Sequence, residues 1–376
     1  MGPLARPGAI VHDWFQGYHG SERTVEALRS GVFAAGFEPD VLTFHAAREL
    51  LPPELAAAIV RESRLAALPG IRQRGHDPGR WRYLLPLMPR YFRSLDLAGY
   101  ELVISSSHAC AAMVRPPAEA LHVVYCHTPM RYAWSPQTDD RRLGGARGAA
   151  LRVLAGRLRR LDREAAQRPQ LYVANSTAVR ERIARFYGRE AAVVHPPVEA
   201  GELRPDAEKD RDLFLWVHRL VPYKNPEVVV EAFRGLSQRL VMVGVGPLAD
   251  HLRERLPANV ELRGWLPRPQ LTALFERAAG FVHAAEEDFG ISMVEALAAG
   301  APVVALGRGG ALDIVRPDRD GILFEQPTVE ALRSAVREAA AREWDRAALA
   351  ERAESFSRPR FVSGMLELIE GARGGR

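Results

Sequence analysis

Short apolar runs of strand length alternate with amphipathic helical stretches along the whole of this chain, and no other feature constrains the fold so tightly. GAIVHDW (8–14) reads as a strand. SERTVEALRSGVFAAG (21–36) follows as a helix with a serine cap at its start and a glycine at its close. EPDVLTF, ELVISSS, HVVYCHT, LYVANS and AAVVHPP are further apolar runs, some separated by helical patterns such as TAVRERIARFYG (177–188). Strands that are apolar throughout, alternating with helices, predict parallel sheets covered on both faces. Residues 196–211 (PPVEAGELRPDAEKDR) are proline-rich, charged and aperiodic, and read as an interdomain linker. The rhythm then restarts: DLFLWVH as strand, NPEVVVEAFRGL as helix, RLVMVGV as strand and PLADHLRERL as helix. VELRGWL, PRPQLTALFERAAG, FVHAA, ISMVEALAAG, PVVAL and GILFE continue it.

The expected class is α/β, with two Rossmann-like, doubly wound parallel-sheet domains facing a cleft. An acceptor-side domain takes 1–200, a ligand-binding domain 201–357, and a last helix in 358–376 packs back on the first. A length of 376 residues suits two such cores. Hydrophobic residues at 47% and charged residues at 26% are those of a globular chain, not a disordered one. The N-terminus lacks the apolar core of a signal peptide, and no run of about 18 apolar residues suggests a membrane span. Cys110 and Cys126 are too few for a disulfide framework, so a cytoplasmic, reducing setting is expected. The net charge of +5 suits an anionic partner.

The most informative string is EEDFGISMVEALAAGAPVVA (286–305). A loop after the strand FVHAA turns at Gly290 into a helix, and Glu287 and Glu295 stand eight positions apart. Open α/β sheets bind ligands at the carboxyl ends of their strands, where Glu287 falls. Asp288 and the amides of Phe289, Gly290 and Ile291 lie at the positive end of that helix. A carboxylate accepting two hydroxyl hydrogen bonds is what a vicinal diol requires. The plainer alternative is that both glutamates are cap and surface charges.

This string resembles the E-x7-E signature of glycosyltransferase family 4, a retaining family with the GT-B fold. Other segments are similar to the family in the same order. They are GYHGSERTVEAL (17–28), YCHTPMRYAW (125–134), ANSTAVRERI (174–183), VVHPPVE (193–199), WVHRLVPYKNPEVVVEAF (216–233), VGVGPL (243–248), VELRGWLPRPQLTALFERA (260–278) and GRGGALDIV (307–315). YCHTPMRYAW is similar to a subset that includes bacterial polysaccharide mannosyltransferases. His218 and Asp313 depart from the family, which often has Gly or Ser at the first position and Glu at the second.

The resemblance implies a nucleotide-sugar-dependent, metal-independent hexosyltransferase. No cofactor is expected beyond the nucleoside diphosphate sugar as co-substrate, and GDP-mannose is the favoured donor. Arg219 and Lys224 would hold the diphosphate, strengthening their bonds as leaving-group charge develops. Glu295 would hold the ribose, Glu287 would orient the donor sugar, and the amides at 289–291 would meet sugar hydroxyls or phosphate. Gly244 and Gly246 would let backbone approach the nucleotide, and Arg263, Gly264, Trp265 and Leu266 would pass the base edge. In the first domain, Gly17 and Gly20 would admit donor phosphate and acceptor to a helix N-terminus. His127 would position the donor sugar, and His12, Asp13 and Trp14 would line the acceptor side. The acceptor would be a glycan, a lipid-linked saccharide or a small molecule.

Asp210–Arg211–Asp212 and Asp318–Arg319–Asp320 look like metal-binding Asp-x-Asp strings but read as solvated linker and turn, so no metal site is expected. Eight arginines (61, 64, 72, 74, 80, 82, 90, 93) with interleaved aromatics face only Glu62 and Asp77. Nine more (141, 142, 147, 152, 157, 159, 160, 163, 168) face Asp162 and Glu164. Such segments suit an anionic membrane surface, here the inner face of the plasma membrane, or else form a solvated helix face. No nucleic-acid module is visible, and no nucleic-acid partner is expected. Three rivals share the scaffold: a sugar-nucleotide epimerase, a pseudo-glycosyl coupling enzyme, and a non-catalytic nucleotide-binding partner subunit. A dinucleotide-dependent dehydrogenase is disfavoured, because Gly17 and Gly20 lack the G-x-G-x-x-G spacing.

Overall fold

The structure is a computed structural model. It describes residues 4, 6–66, 68–71, 73, 80–134 and 145–374, without the side chains of 82 and 145–154. The chain forms two units: residues up to Pro197 together with those from Arg358 onward, and Val198–Ser357.

The first unit is built on β1 (Gly8–His12), β2 (Asp40–Thr43), β3 (Ile59–Arg61), β4 (Leu102–Ser107), β5 (Leu121–Cys126), β6 (Leu171–Ala174) and β7 (Ala192–Val193). Their order across the sheet is β3-β2-β1-β4-β5-β6-β7, all parallel. The second unit has β8 (Asp210–Val217), β9 (Arg239–Val243), β10 (Val260–Arg263), β11 (Ala278–His283), β12 (Val303–Leu306) and β13 (Gly321–Phe324). Their order is β10-β9-β8-β11-β12-β13, again parallel. In each unit the chain winds to one edge and then returns to continue on the other side of its first strand. The switch points therefore lie between β1 and β4, and between β8 and β11, where the loops diverge and leave a crevice at the carboxyl ends.

The central strands are buried on both faces, which explains their unbroken apolar runs. In β1, Ile10 packs with Val25, Leu28, Phe361 and Met365, while Ala9 and Val11 pack on the opposite face with Phe44, Trp81 and Phe92. The helix Arg358–Gly374 thus completes the first unit's core, with Phe361, Met365, Leu366 and Ile369 all buried.

Several local expectations are corrected. The first helix spans Gly20–Val32 and stops short of Gly36, because the chain after it turns to pair with Leu4 (Ala34 N donates to Leu4 O, 2.8 Å). Residues 278–280 belong to β11 and not to the preceding helix. The Phe214 ring lies where a Cβ on Gly280 would be, 2.5 Å from it, and pairing to β8 overrides the helical preference of alanine. Asp210 opens β8 and pairs with Arg239, so the linker ends earlier than expected. Asp320 is not solvated: it is 1% exposed and receives Arg316 at 2.7 and 2.8 Å.

His122 of β5 is fully buried, its Nε2 2.9 Å from Ser105 Oγ, and burial pulls its pKa down to about 3 from 6.5. An unfolded chain protonates this histidine below pH 6.5, whereas the folded one does not until about 3. Its contribution is therefore complete above pH 6.5 and is lost on acidification, by about 1.4 kcal/mol per pH unit. We expect the unfolding free energy of His122→Asn relative to the parent to rise by about 2 kcal/mol between pH 7 and pH 5 in urea titrations. Parallel pH dependences of the two proteins would refute the assignment of a neutral, buried His122.

Candidate functional site

The carboxyl ends of β8 and β11 gather most of the charged candidates. After β8, the chain passes His218 and Arg219 into the short 3-10 turn Pro222–Lys224. Asn225 follows in a left-handed conformation (φ 53°), its Nδ2 donating to Ala284 O at 2.7 Å and tying this loop to the one after β11. That tie brings Lys224 onto Glu287 as an ion pair with side chains only 8% and 18% exposed. A lysine so withdrawn from water stays charged only with an anion beside it. The guanidinium of Arg219 is exposed and has no partner among the described residues.

Two histidines back this pair. His283 Nδ1 and His218 Nε2 are 3.1 Å apart, with His218 Nδ1 3.8 Å and His283 Nε2 3.7 Å from the two oxygens of Glu287. Burial depresses both pKa values, that of His218 well below its usual value with help from His283 and Lys224, that of His283 to about 3. Both rings are therefore neutral at pH 7. One ligand atom from each of His218, His283 and Glu287 falls within 4.8 Å of the others, a spacing that could hold a cation. Two facts oppose it. Lys224 already neutralises the carboxylate, and a hydrogen bond between two neutral imidazoles leaves only one of their outward nitrogens with a lone pair.

Gly290 precedes the helix Ile291–Ala298 with φ 102°, and a Cβ there would sit 2.4 Å from Met293 Cε. This left-handed turn leaves the amides of Gly290 and Ile291 without partners among the described residues, at the positive end of the helix. Phe289 is buried against Phe356 (ring centroids 5.6 Å) and anchors the turn, and Asp288 is half-buried beside it. Glu295 is buried one turn into the helix and accepts from Arg268 Nη1 at 2.5 Å. Arg268 was not anticipated: it opens the helix Arg268–Arg277, where a basic residue reads as an ordinary surface charge.

Gly244 and Gly246 have a packing reason independent of any ligand. A Cβ on Gly244 (φ 151°) would lie 1.8 Å from His218 O, and one on Gly246 2.3 Å from Leu220 O. The turn after β9 thus closes directly on the loop carrying Arg219. Gly244 N also donates to Gly264 O at 3.0 Å, which joins 263–266 to the same region. There Arg263 is paired with Glu261 (2.7 and 3.0 Å), Leu266 is partly buried and Trp265 is 68% exposed.

The switch point of the first unit gathers histidines around a carboxylate that backbone closes off. Both oxygens of Asp13 are taken by backbone. Oδ2 accepts from His108 N (2.7 Å) and Ala109 N (2.8 Å), and Oδ1 from Cys110 N (2.5 Å) and Ala111 N (2.7 Å). Asp13 thereby fixes the loop after β4. Trp14 is buried against Trp81 and, edge-on, His108 (4.4 Å). His12 is fully buried, its pKa lowered to about 3 chiefly by burial, and His127 lies half-buried with its Nε2 2.8 Å from Ser106 Oγ. Ser106 and His108 escaped the sequence reading because ELVISSSHA reads only as a strand and its exit. Gly17 is buried and Gly20 begins the helix Gly20–Val32, whose first turn is closed by His19 N donating to Glu22 (3.1 Å).

Of the basic segments, Arg61, Arg64, Arg80 and Arg90 are exposed, as are Leu65, Leu68, Tyr83 and Leu87, while Trp81, Met88 and Phe92 are core. Arg159 and Arg163 are partly committed to the fold, donating to Ala133 O and Phe186 O and lying against the Trp134 ring. Arg72, Arg74, Asp77, Arg141 and Arg142, and the side chains of Arg82, Arg147 and Arg152, lie outside the described residues. No described helix is long and apolar enough to cross a membrane.

Comparison with known proteins covers both units. The model of glycosyltransferase family 4 matches residues 18–202, and that of glycosyl transferases group 1 matches 202–356. A GDP-mannose-dependent alpha-(1-6)-phosphatidylinositol monomannoside mannosyltransferase of Mycobacterium tuberculosis is 28% identical over 212 residues, 45% of this chain and 55% of that protein. A D-inositol 3-phosphate glycosyltransferase of Mycolicibacterium paratuberculosis is 32% identical over 155 residues, 35% of each chain. The matches thus span about half the length of the first relative and about a third of the second. Two solved structures share the fold at low identity. A sucrose-phosphate synthase of Thermosynechococcus elongatus has a TM-score of 0.74 at 16% identity, over 99% of this chain and all of that one. The Anabaena protein HepE in complex with UDP has a TM-score of 0.68 at 17% identity, over 98% of this chain and all of that one.

The Lys224–Glu287 pair makes its own prediction. Glu287→Gln strands a buried ammonium and should cost about 3 kcal/mol of stability, most of it regained when Lys224→Met is added. Chemical unfolding of the single and double variants checks this, and a Glu287→Gln protein as stable as the parent would show that the two groups are not paired.

Proposed function

Because the chain belongs to glycosyltransferase family 4 and is a glycosyltransferase, we propose that it transfers a mannosyl group from GDP-mannose to a hydroxyl, with retention and without a metal. The observation that carries this reading is the cation and carboxylate assembly at the β8–β11 switch point: Lys224 on Glu287, with Arg219 and two helix-start amides that have no partner among the described residues. A cation pair beside helix-start amides is a diphosphate site by its chemistry.

In this reading Lys224 and Arg219 hold the diphosphate and take up the negative charge that grows on it as the glycosidic C–O bond breaks. That stabilisation increases in the transition state and so accelerates the chemical step. The ammonium does the work a divalent cation does elsewhere. Glu287, partly released from Lys224 by the phosphates, orients the sugar. Glu295, aligned by Arg268, accepts from the ribose hydroxyls. The turn bearing Gly244 and Gly246 and residues 263–266 border the nucleotide, with Trp265 exposed for the base. The acceptor oxygen attacks from the face the leaving phosphate departs, its proton passes to that phosphate, and no protein nucleophile is required. GDP-mannose is favoured because the mycobacterial mannosyltransferase that this chain resembles is GDP-mannose-dependent. The acceptor is a glycan, a lipid-linked saccharide or a small polyol. The exposed Leu65, Leu68, Tyr83 and Leu87 among Arg61, Arg64, Arg80 and Arg90 suit peripheral docking on an anionic membrane.

Two measurements test these proposals. In assays with GDP-, UDP-, ADP- and dTDP-sugars, GDP-mannose should support transfer and EDTA should leave the rate unchanged. Lys224→Ala should lower kcat/KM tenfold or more, about 1.4 kcal/mol, while Glu295→Ala acts mainly by raising the donor KM. Unaltered kinetics in both variants would remove the site assignment. Separately, the protein should co-sediment with vesicles containing anionic lipid and not with neutral ones. Equal partition would remove the membrane proposal.

A further inference from the structure

Ser106 is buried near the end of β4, in register with His12 of β1 on one side and Tyr125 of β5 on the other. Its hydroxyl stands between two imidazoles, 3.1 Å from His12 Nδ1 and 2.8 Å from His127 Nε2. Its carbonyl oxygen is 3.0 Å from the same His12 Nδ1. These three distances fix the protons. A carbonyl only accepts, so His12 Nδ1 carries a hydrogen shared between the Ser106 carbonyl and hydroxyl oxygens. His12 is neutral because it is wholly buried, so its Nε2 is a bare lone pair. That nitrogen has no hydrogen-bond partner among the described residues, and a stranded N–H there would be the costlier arrangement. Ser106 Oγ has a second lone pair, but its buried hydroxyl hydrogen has no acceptor among the described residues other than His127 Nε2, so it is donated there. A neutral His127 then carries its proton on Nδ1.

We propose that Ser106 is a positioning residue that locks His127 as its Nδ1–H tautomer, so that the Nδ1 of His127 meets the sugar as a hydrogen-bond donor and not as a base. The chain His12, Ser106, His127 runs in one direction, and its head is a buried carbonyl that cannot reverse. A hydrogen on His127 Nε2 would leave the buried Ser106 hydroxyl hydrogen without an acceptor among the described residues. An N–H donor suits a ring hydroxyl of the donor sugar and cannot remove a proton from the acceptor, in keeping with a mechanism in which the leaving phosphate takes that proton. The consequence for catalysis rests on the reading that His127 contacts the donor sugar, but the tautomer does not.

The test is long-range 1H–15N NMR of the full chain labelled at histidine, with His127 assigned by its loss in His127→Gln. Nδ1 of His127 should resonate as a protonated nitrogen and Nε2 as an unprotonated one. Ser106→Ala should abolish that pattern, and Ser106→Thr, which keeps the hydroxyl, should restore it. A parent His127 protonated at Nε2, or a pattern unchanged in Ser106→Ala, overturns the proposal whatever the activity. If Ser106→Ala does not fold, the parent spectrum alone still decides. In the transfer assay, Ser106→Ala should lower kcat about tenfold and Ser106→Thr recover most of it. His127→Asn, whose amide nitrogen falls near the Nδ1 position, should retain more activity than His127→Gln. If both His127 variants are fully active while the tautomer is as stated, the placement of His127 at the sugar is wrong and the role of Ser106 in setting the ring stands.

Discussion

An ammonium withdrawn from water must have an anion beside it, and in this protein that requirement organises the second unit's switch point. Glu287 reaches Lys224 because Asn225, in a left-handed turn, ties the loop after β8 to the loop after β11. Gly290 then turns the chain into a helix whose first amides have no partner among the described residues. On the proposed function, a diphosphate would meet a cation already desolvated and held, so that the ordering cost falls on folding rather than on binding. Burial keeps His218 and His283 neutral, and the positive charge of Lys224 beside them adds to it.

The first unit meets the same topological situation with its charge closed off. Its switch point is lined by His12, His108 and His127, and both oxygens of Asp13 are taken by four backbone amides. A surface of oriented hydrogen-bonding groups suits recognition of hydroxyl groups by direction more than by charge. The two units repeat one winding order and differ in what their strand ends carry, an ion pair in one and a histidine cluster over a backbone-bound Asp13 in the other.

Much of this was legible in the sequence because parallel sheets write themselves plainly. Buried strands give unbroken apolar runs, helices give amphipathic ones, and Gly290 marks the turn into its helix. What was not legible depended on distant partners. Residues 278–280 read as helix because alanine favours helices locally, and only the Phe214 ring over Gly280 makes them strand. Asp320 read as solvated because a turn rich in charge usually is, and its burial comes from Arg316 and from Arg352, thirty-two positions on. Ser106 and His283 fell inside strings read as strand and His108 just after one, with nothing local to set them apart. Strand order puts them beside β1 and β8, and strand order is a property of the whole sheet.

Arg268 carries the same lesson into the site itself. Glu295 was singled out as a diol acceptor. Arg268, also held by Glu202, donates to one oxygen of Glu295 and leaves the other oxygen's lone pairs for hydroxyls. The pairing also fixes the carboxylate's orientation before any ligand arrives, which a free surface glutamate would have to gain on binding. Arg268 thus orients Glu295, and Ser106 stands in the same relation to His127. In both units a residue singled out from the sequence is held in place by a neighbour to which the sequence reading assigned no role.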